Sequence, residues 1–173
     1  MVATQQHEPP EKAWSIRAAS GSDQSAIWDL FKASQALREG GRPDEGKDLQ
    51  DVEGWYLNGQ ESSRFWVADE TETGVVGMVG VKDMGDHVAA VRRLHVHPER
   101  RQRGVGKSLV SHALQFCRDT AFVKIMLETE QDQQAAIALF TRFGFRLSRK
   151  KTKGGLERYE FYIDLYQRPE SDI

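Results

Sequence analysis

Apolar positions along this chain recur at two periods, and the switches between them predict the elements. Residues 15–19 read as a short first strand. After Ser22 or Asp23, either of which can cap a helix, Ile27, Leu30, Phe31 and Leu37 follow helical spacing until Gly40-Gly41-Arg42-Pro43 breaks it. A second helix is predicted over 48–57, carrying Leu49, Val52 and Tyr56. Residues 65–69 and 75–81 form a β-hairpin around 70–74, and Gly77 and Gly80 inside its second strand mark a bulge or the close approach of another backbone. An extended apolar segment, 89–96, closes at His97-Pro98; then Val105, Leu109, Val110, Ala113, Leu114, Phe116 and Cys117 return to the helical period. A strand over 123–127, ending in Leu127-Glu128-Thr129, leads into a helix over 132–143 that stops at Gly144, a residue suited to the left-handed end of a helix. A last hairpin turns over 150–155, after which Tyr159, Phe161, Ile163 and Leu165 alternate with polar neighbours. The order β-α-α-β-β-β-α-β-α-β-β gives a mixed α/β domain around one central sheet, without internal repeats.

Composition narrows the class. A chain of 173 residues is long enough for one domain with a full core, expected over 14–167 between flexible tails at 1–13 and 168–173. With 39% hydrophobic and 29% charged residues it reads as a soluble globular protein. A net charge of −2 exerts no global pull on nucleic acid or membrane, and no apolar run approaches the length of a span. The first twelve residues are polar, contain Pro9-Pro10 and lack the apolar stretch of a secretion signal. Cys117 is the single cysteine and lies on the apolar stripe of its helix, a packing position. A reducing, cytoplasmic setting is expected.

The candidate chemistry sits between the strand ending at Val96 and the following helix. Arg101-Gln102-Arg103-Gly104-Val105-Gly106 is a basic, glycine-containing turn entering a helix, and that geometry aims free backbone N–H groups and the positive end of the helix dipole at one point. Arg101, Arg103 and Lys107 add charge there, so the turn suits a phosphate; the alternative is a solvated turn capping a surface helix. Two familiar phosphate loops do not fit. The nucleotide P-loop pattern needs glycine where Arg101 stands, and the dinucleotide fingerprint needs it where Leu109 stands.

The turn R-x-x-G-x-G after a strand ending Val-x-Pro resembles the acetyl-CoA signature of the GNAT family of N-acetyltransferases. Two further blocks match in order: Leu127-Glu128-Thr129, and Ala135 to Phe145, which resembles the family's A-x-x-L-Y-x-x-x-G-F helix. The resemblance runs from about Trp14 to Leu165. It implies a mostly antiparallel, splayed sheet flanked by helices, and acetyl-CoA held by Leu94, His95, Val96, Arg101, Gln102, Arg103, Gly104, Val105, Gly106, Lys107, Ser108, Gln133 and Phe140. It also implies transfer to a primary amine by direct attack in a ternary complex. The Val96 N–H, freed by a bulge, would face the thioester oxygen. Glu128 is the implied base, since Ala90 stands where many relatives keep a glutamate. The implied general-acid tyrosine is replaced by Phe140, leaving Tyr56, Tyr159 and Tyr162 as candidates.

Other readings stand beside these. Glu128 is otherwise a glutamate paired with a surface Lys or Arg. His95 and His97 share a strand face, but no third metal ligand follows at fitting spacing; His95 can instead relay a proton. Asp44, Glu45, Asp48, Asp51 and Glu53 are either a solvated face or a lure for a cationic acceptor. The rival function is a non-catalytic acetyl-CoA sensor acting on a partner. Nucleic-acid binding by Arg92, Arg93, Arg100, Arg101, Arg103 and Lys107 is disfavoured, because no aromatic platform interleaves them. A monomer or homodimer is expected, with no metal and no membrane.

Overall fold

The structure, a computed structural model, describes residues 13–38, 44–59 and 61–166. Seven strands form one sheet in the order β1-β2-β3-β4-β5-β7-β6: β1 (Trp14–Ala18), β2 (Arg64–Glu70), β3 (Gly74–Asp83), β4 (Val88–Val96), β5 (Lys124–Glu130), β6 (Arg146–Lys153) and β7 (Leu156–Asp164). Every pair is antiparallel except β4 with β5. That parallel pair holds for three rungs, Val88↔Lys124 to Ala90↔Met126, and then the strands part. The sheet is therefore forked at its centre, the splayed and mostly antiparallel architecture expected.

Helix α1 (Gln24–Ala36) covers one face, and α2 (Val105–Asp119) and α3 (Gln134–Arg142) the other. On the α2 face, Val79, Val81, Ala89, Val91, Ile125 and Leu127 pack with the α2 stripe Val105, Leu109, Val110, Ala113, Leu114 and Cys117. Burying each such aliphatic side chain contributes about 1.5–3 kcal/mol, so this stripe fixes where α2 begins. Gly77 is what brings it close. A Cβ there would lie 2.9 Å from both Leu109 Cδ1 and Val105 Cγ1. Gly80, on the opposite face, makes the same room for Tyr56 and Phe65. Side chains rather than another backbone therefore fill the space at both glycines, and the register shift of β3 against β4 falls beside Gly80.

Several elements depart from the expectation. The helix predicted over 48–57 is a 3-10 turn, Lys47–Leu49, followed by one π-helical turn, Glu53–Leu57. Gln24 intervenes between them: its side chain donates to Leu49 O (2.6 Å) and accepts from Val52 N (3.0 Å), while Asp51 takes the Gly54 N–H. Leu37 ends α1 and is 54% exposed, off the buried stripe. Asp23 does not begin α1 directly. It accepts from the Ser20 N–H and pairs with Arg17 at 2.7 Å, closing a 3-10 turn ahead of the helix. Strand β6 runs on to Lys153, so the last turn is only Gly154-Gly155, both left-handed. The expected break at 40–43 and both expected tails lie wholly or mainly outside the described residues.

Candidate active site

The fork begins where β4 changes register. Gly80 pairs with Arg92 and Met78 with His95, so Val79 alone faces Arg93 and Leu94. Two residues against one is a β-bulge, and Arg93 takes the left-handed conformation (φ 58°) to make it. The bulge shifts the phase of the strand. Ala89 and Val91 before it and Leu94 and Val96 after it all face α2, while Arg93 and His95 face α1. It also sets the amides. His97 N donates to Val76 O at 2.8 Å, flanking the Gly77↔Val96 pair. Val96 is then the non-hydrogen-bonded member of that pair, and its N–H and C=O point away from β3 into the fork. The carbonyl accepts from Arg101 Nε at 3.3 Å.

The turn that follows keeps its donors open. Arg101 is extended, and Gln102 (φ 60°) and Gly104 (φ 87°) both take positive φ, so the chain turns sharply before α2 begins at Val105. Among the described residues, no protein acceptor takes the amides of 102–107; the Ser108 N–H is spent on Gly104 O at 3.0 Å. Gly104 has nothing within 4 Å of where a Cβ would be. Arg101, Arg103 and Lys107 are exposed and, among the described residues, make no ion pair, whereas Arg100 is held by Glu70 at 2.9 Å. Val105 is the buried foot of the turn. Six amides without a protein acceptor among the described residues and three exposed cations thus share one turn, a fit for a diphosphate.

From that turn the path leads to the fork. A Cβ on Gly106 would lie 3.6 Å from Val96 Cγ2 and 3.5 Å from Leu139 Cδ2, so α2, β4 and α3 meet there. Gln133 immediately precedes α3, and its Oε1 accepts from the Thr129 hydroxyl at 3.3 Å. Phe140 is 5% exposed, edge-on to Phe145 at 5.5 Å. Its ring belongs to the core, and Leu139 is the α3 residue that meets the turn.

The α1 face of the fork carries the titratable groups. Glu128 is exposed on β5, two residues past the last rung, and lies directly opposite Glu160. No Lys or Arg pairs with Glu128 among the described residues; its carboxyl meets that of Glu160, which a hydrogen bond from Lys151 holds below the usual carboxylate range. His95 stands half-buried with its ring edge 5.7 Å from Phe31; burial, reinforced by the charge of Arg93, pushes it down to about 4, so it is neutral at pH 7. Of the three tyrosines, Tyr56 donates to Asp48 at 2.6 Å and Tyr159 to Glu157 at 3.0 Å, while Tyr162 sits between Lys124 and Arg146. Cys117 is fully buried and its thiol is pushed up to about 12 by that burial, which excludes it as a nucleophile.

Two networks here escaped the sequence. Arg93 is gripped by Asp44 and Asp48, so two of the acids read as a solvated face or a lure are spent on an internal cation. Arg38, at the end of α1, pairs with Glu130 on β5, tying the two arms of the fork together. Both join residues far apart in the chain, and neither leaves a local pattern. Beside them Trp28, Phe31, Gln35, Asp44 and Glu45 line an open cleft of about 660 Å3. No group of three His, Cys, Asp or Glu suited to a metal ion occurs among the described residues.

A forked sheet with a bulged strand, an open basic turn and a helix behind it is an arrangement shared with known proteins. The Acetyltransferase (GNAT) family matches residues 26–145, and the chain belongs to this family. Members use acetyl-CoA as acyl donor. N-acetyltransferase 8 of Homo sapiens is 38% identical over 104 residues, covering 57% of this chain and 45% of that protein. Probable N-acetyltransferase camello of Xenopus tropicalis is 36% identical over 125 residues, 70% of this chain and 56% of that one. The chain thus spans about half the length of these relatives. Among solved structures, a GNAT-family acetyltransferase from Staphylococcus aureus Mu50 superposes with a TM-score of 0.79 at 21% identity, over 89% of this chain and all of that one. The acetyltransferase yncA of Salmonella typhimurium, solved with acetyl-CoA, gives 0.75 at 20% identity, over 92% and 98%. No helix among the described residues is long and apolar enough to cross a membrane.

Proposed function

We propose that this protein transfers the acetyl group of acetyl-CoA to a primary amine by direct attack in a ternary complex. One observation carries the reading: the open amides of 102–107 run, through the contact of Gly106 with Val96 and Leu139, into the fork where the Val96 N–H is unspent. The amides, with Arg101, Arg103 and Lys107, hold the diphosphate. Gln133 and Leu139 line the way for the pantetheine arm. The Val96 N–H polarises the thioester carbonyl, and because it is fixed before the reaction it costs little reorganisation; losing one such donor raises a barrier by about 2.7–4 kcal/mol.

The acceptor enters from the α1 face. An alkyl amine of pKa about 10.4 is neutral in roughly one molecule per thousand at pH 7, so a proton acceptor at the fork speeds the reaction. Glu128 serves there, exposed and without a cationic partner. The thiolate, from a thiol of pKa about 8.5, leaves without an obligatory acid. That matches a site where Phe140 is buried and Tyr56 and Tyr159 are engaged elsewhere.

Free-thiol release tests the reading across polyamines, amino acids, aminoglycosides and peptide N-termini. Turnover with at least one class is expected, with Gly104→Glu losing roughly 100-fold or more in acetyl-CoA affinity by calorimetry. Unchanged affinity in both Gly104→Glu and Arg101→Ala sinks the loop assignment. Binding without turnover on any amine favours the sensor reading, which the engaged tyrosines support.

A further inference from the structure

We propose that Arg93 is a positioning residue: clamped by Asp44 and Asp48, its side chain holds the bulge that turns the Val96 N–H into the fork. The link to rate rests on the acetyl-transfer reading above; the link to the bulge does not.

Four observations converge. First, Arg93 is the extra residue of the bulge and adopts φ 58°, a conformation that favours glycine or asparagine over a long side chain. The local backbone preference therefore opposes this conformation, and something outside the strand must hold it. Second, the guanidinium is 11% exposed and bound on several sides. Nε donates to Asp48 at 3.0 Å, the terminal nitrogens reach Asp48 and Asp44, and the Phe31 ring lies 5.5 Å away. Third, the clamp is itself anchored. Asp48 is 3% exposed and accepts from Tyr56 at 2.6 Å, and Tyr56 stands over Gly80, the partner of Arg92 in the sheet. The 44–57 segment thus grips the bulge at Arg93 and braces the rung beside it. Fourth, this half of β4 is short of other support, because pairing to β5 ends at Ala90.

Without the clamp, 91–96 can return to regular alternation. A shift of one residue reverses every side chain and every amide beyond it. The Val96 N–H would then face β3, and Arg93 would face the apolar core. Donor binding at 102–107 depends on the turn's own amides and is largely spared.

Arg93→Gly separates side chain from backbone, since glycine accepts the left-handed conformation but cannot be clamped. Expected results are acetyl-CoA affinity within about 3-fold of the parent by calorimetry and kcat lower by roughly 100-fold, with Asp48→Asn lower by roughly 10-fold. Retention of kcat within about 3-fold in Arg93→Gly overturns the proposal. A second readout needs no turnover. In the free protein, the Val96 amide followed by nitrogen-15 NMR exchanges readily with solvent in the parent and becomes protected in Arg93→Gly as it turns to β3. An unchanged resonance and exchange rate in both Arg93→Gly and Asp48→Asn overturns the proposal, whichever amine the enzyme uses. Failure of the parent to bind acetyl-CoA counts against the acetyl-transfer reading alone, and the exchange result still decides the bulge.

Discussion

Arg93 and Arg101 belong to one basic stretch of sequence and have opposite fates. Arg93 is buried, gripped by two aspartates and packed on an aromatic ring. Arg101 is exposed, with a single contact to a backbone carbonyl. The charge on the bulge is neutralised inside the protein; the charge on the turn after it has no ion-pair partner among the described residues. Formal charge along the chain cannot distinguish these, because the counter-charges on Asp44 and Asp48 come from an earlier segment. What separates the two regions is whether the fold supplies the anion or leaves it to be bound.

The sharpest way to break that contrast is to remove an internal anion. Asp48→Ala leaves Arg93 buried with Asp44 as its remaining partner and frees the Tyr56 hydroxyl; stripping one side of a buried pair costs about 3 kcal/mol. The melting temperature should fall by roughly 6–12 °C. Arg101→Ala should leave stability within about 0.5 kcal/mol while weakening acetyl-CoA. Equal destabilisation by both would show that the charge of the turn is neutralised inside the protein no less than that of the bulge.

The open turn after β4 was legible because it is local. The strand, the glycine turn and the helix stripe are consecutive, and Gln102 to Lys107 make the cradle with backbone atoms that any reading of the turn includes. Even the bulge left a trace: Ala89 and Val91 alternate inward, Arg92 and Arg93 break the alternation, and Leu94 and Val96 resume it one residue out of phase. The periodicity of 89–96 reads as extended, and the bulge there is expected from the family resemblance rather than from that break. Helical spacing gives a face but not which of two adjacent residues meets the turn: Leu139 does, while Phe140 packs on Phe145 in the core. The helix expected over 48–57 failed for a tertiary reason, since Gln24 supplies backbone partners that a helix would have supplied itself. The ion-pair networks on the α1 face were illegible in principle. Arg38 with Glu130 and Arg93 with Asp48 are long-range pairs with no spacing rule to announce them.

Acid sharpens the comparison next. His95 has a folded value of about 4 against an ordinary 6.5, so the unfolded chain binds its proton first. Its contribution to stability is intact above about pH 6.5 and is lost as pH falls towards 4, amounting to about 3 kcal/mol. For Asp44 and Asp48, burial alone raises the pKa, but hydrogen bonds from Arg93 outweigh it and the net shift is downward. Their contribution is present above the ordinary carboxylate value and disappears only below it, as pH passes the depressed folded values. Denaturation curves of the parent should therefore decline in two stages. His95→Asn should flatten the first and Asp48→Asn diminish the second. A single stage at carboxylate pH in the parent would mean that His95 is not held neutral by its burial.

The smallest effect comes from two glycines on either side of the same contact. Gly77→Ala puts a methyl 2.9 Å from Leu109 and Val105 and must push the start of α2 off the sheet, at a cost of about 1–3 kcal/mol. Because α2 carries the open amides at its first turn, acetyl-CoA affinity should drop with it. Gly106→Ala meets Leu139 and Val96 at 3.5 and 3.6 Å, ordinary contact distances, and Gly106 has no left-handed conformation to lose. Alanine also suits a helix interior better than glycine, by about 0.5–1 kcal/mol. Gly106→Ala should thus be neutral or slightly stabilising, with acetyl-CoA affinity close to that of the parent. The requirement at 106 is for a small residue rather than for glycine, whereas at 77 it is for no side chain at all. Thermal denaturation and calorimetry on the two variants separate a turn positioned from beneath by Gly77 from one whose own glycine does the positioning; a larger loss in Gly106→Ala would reverse that assignment.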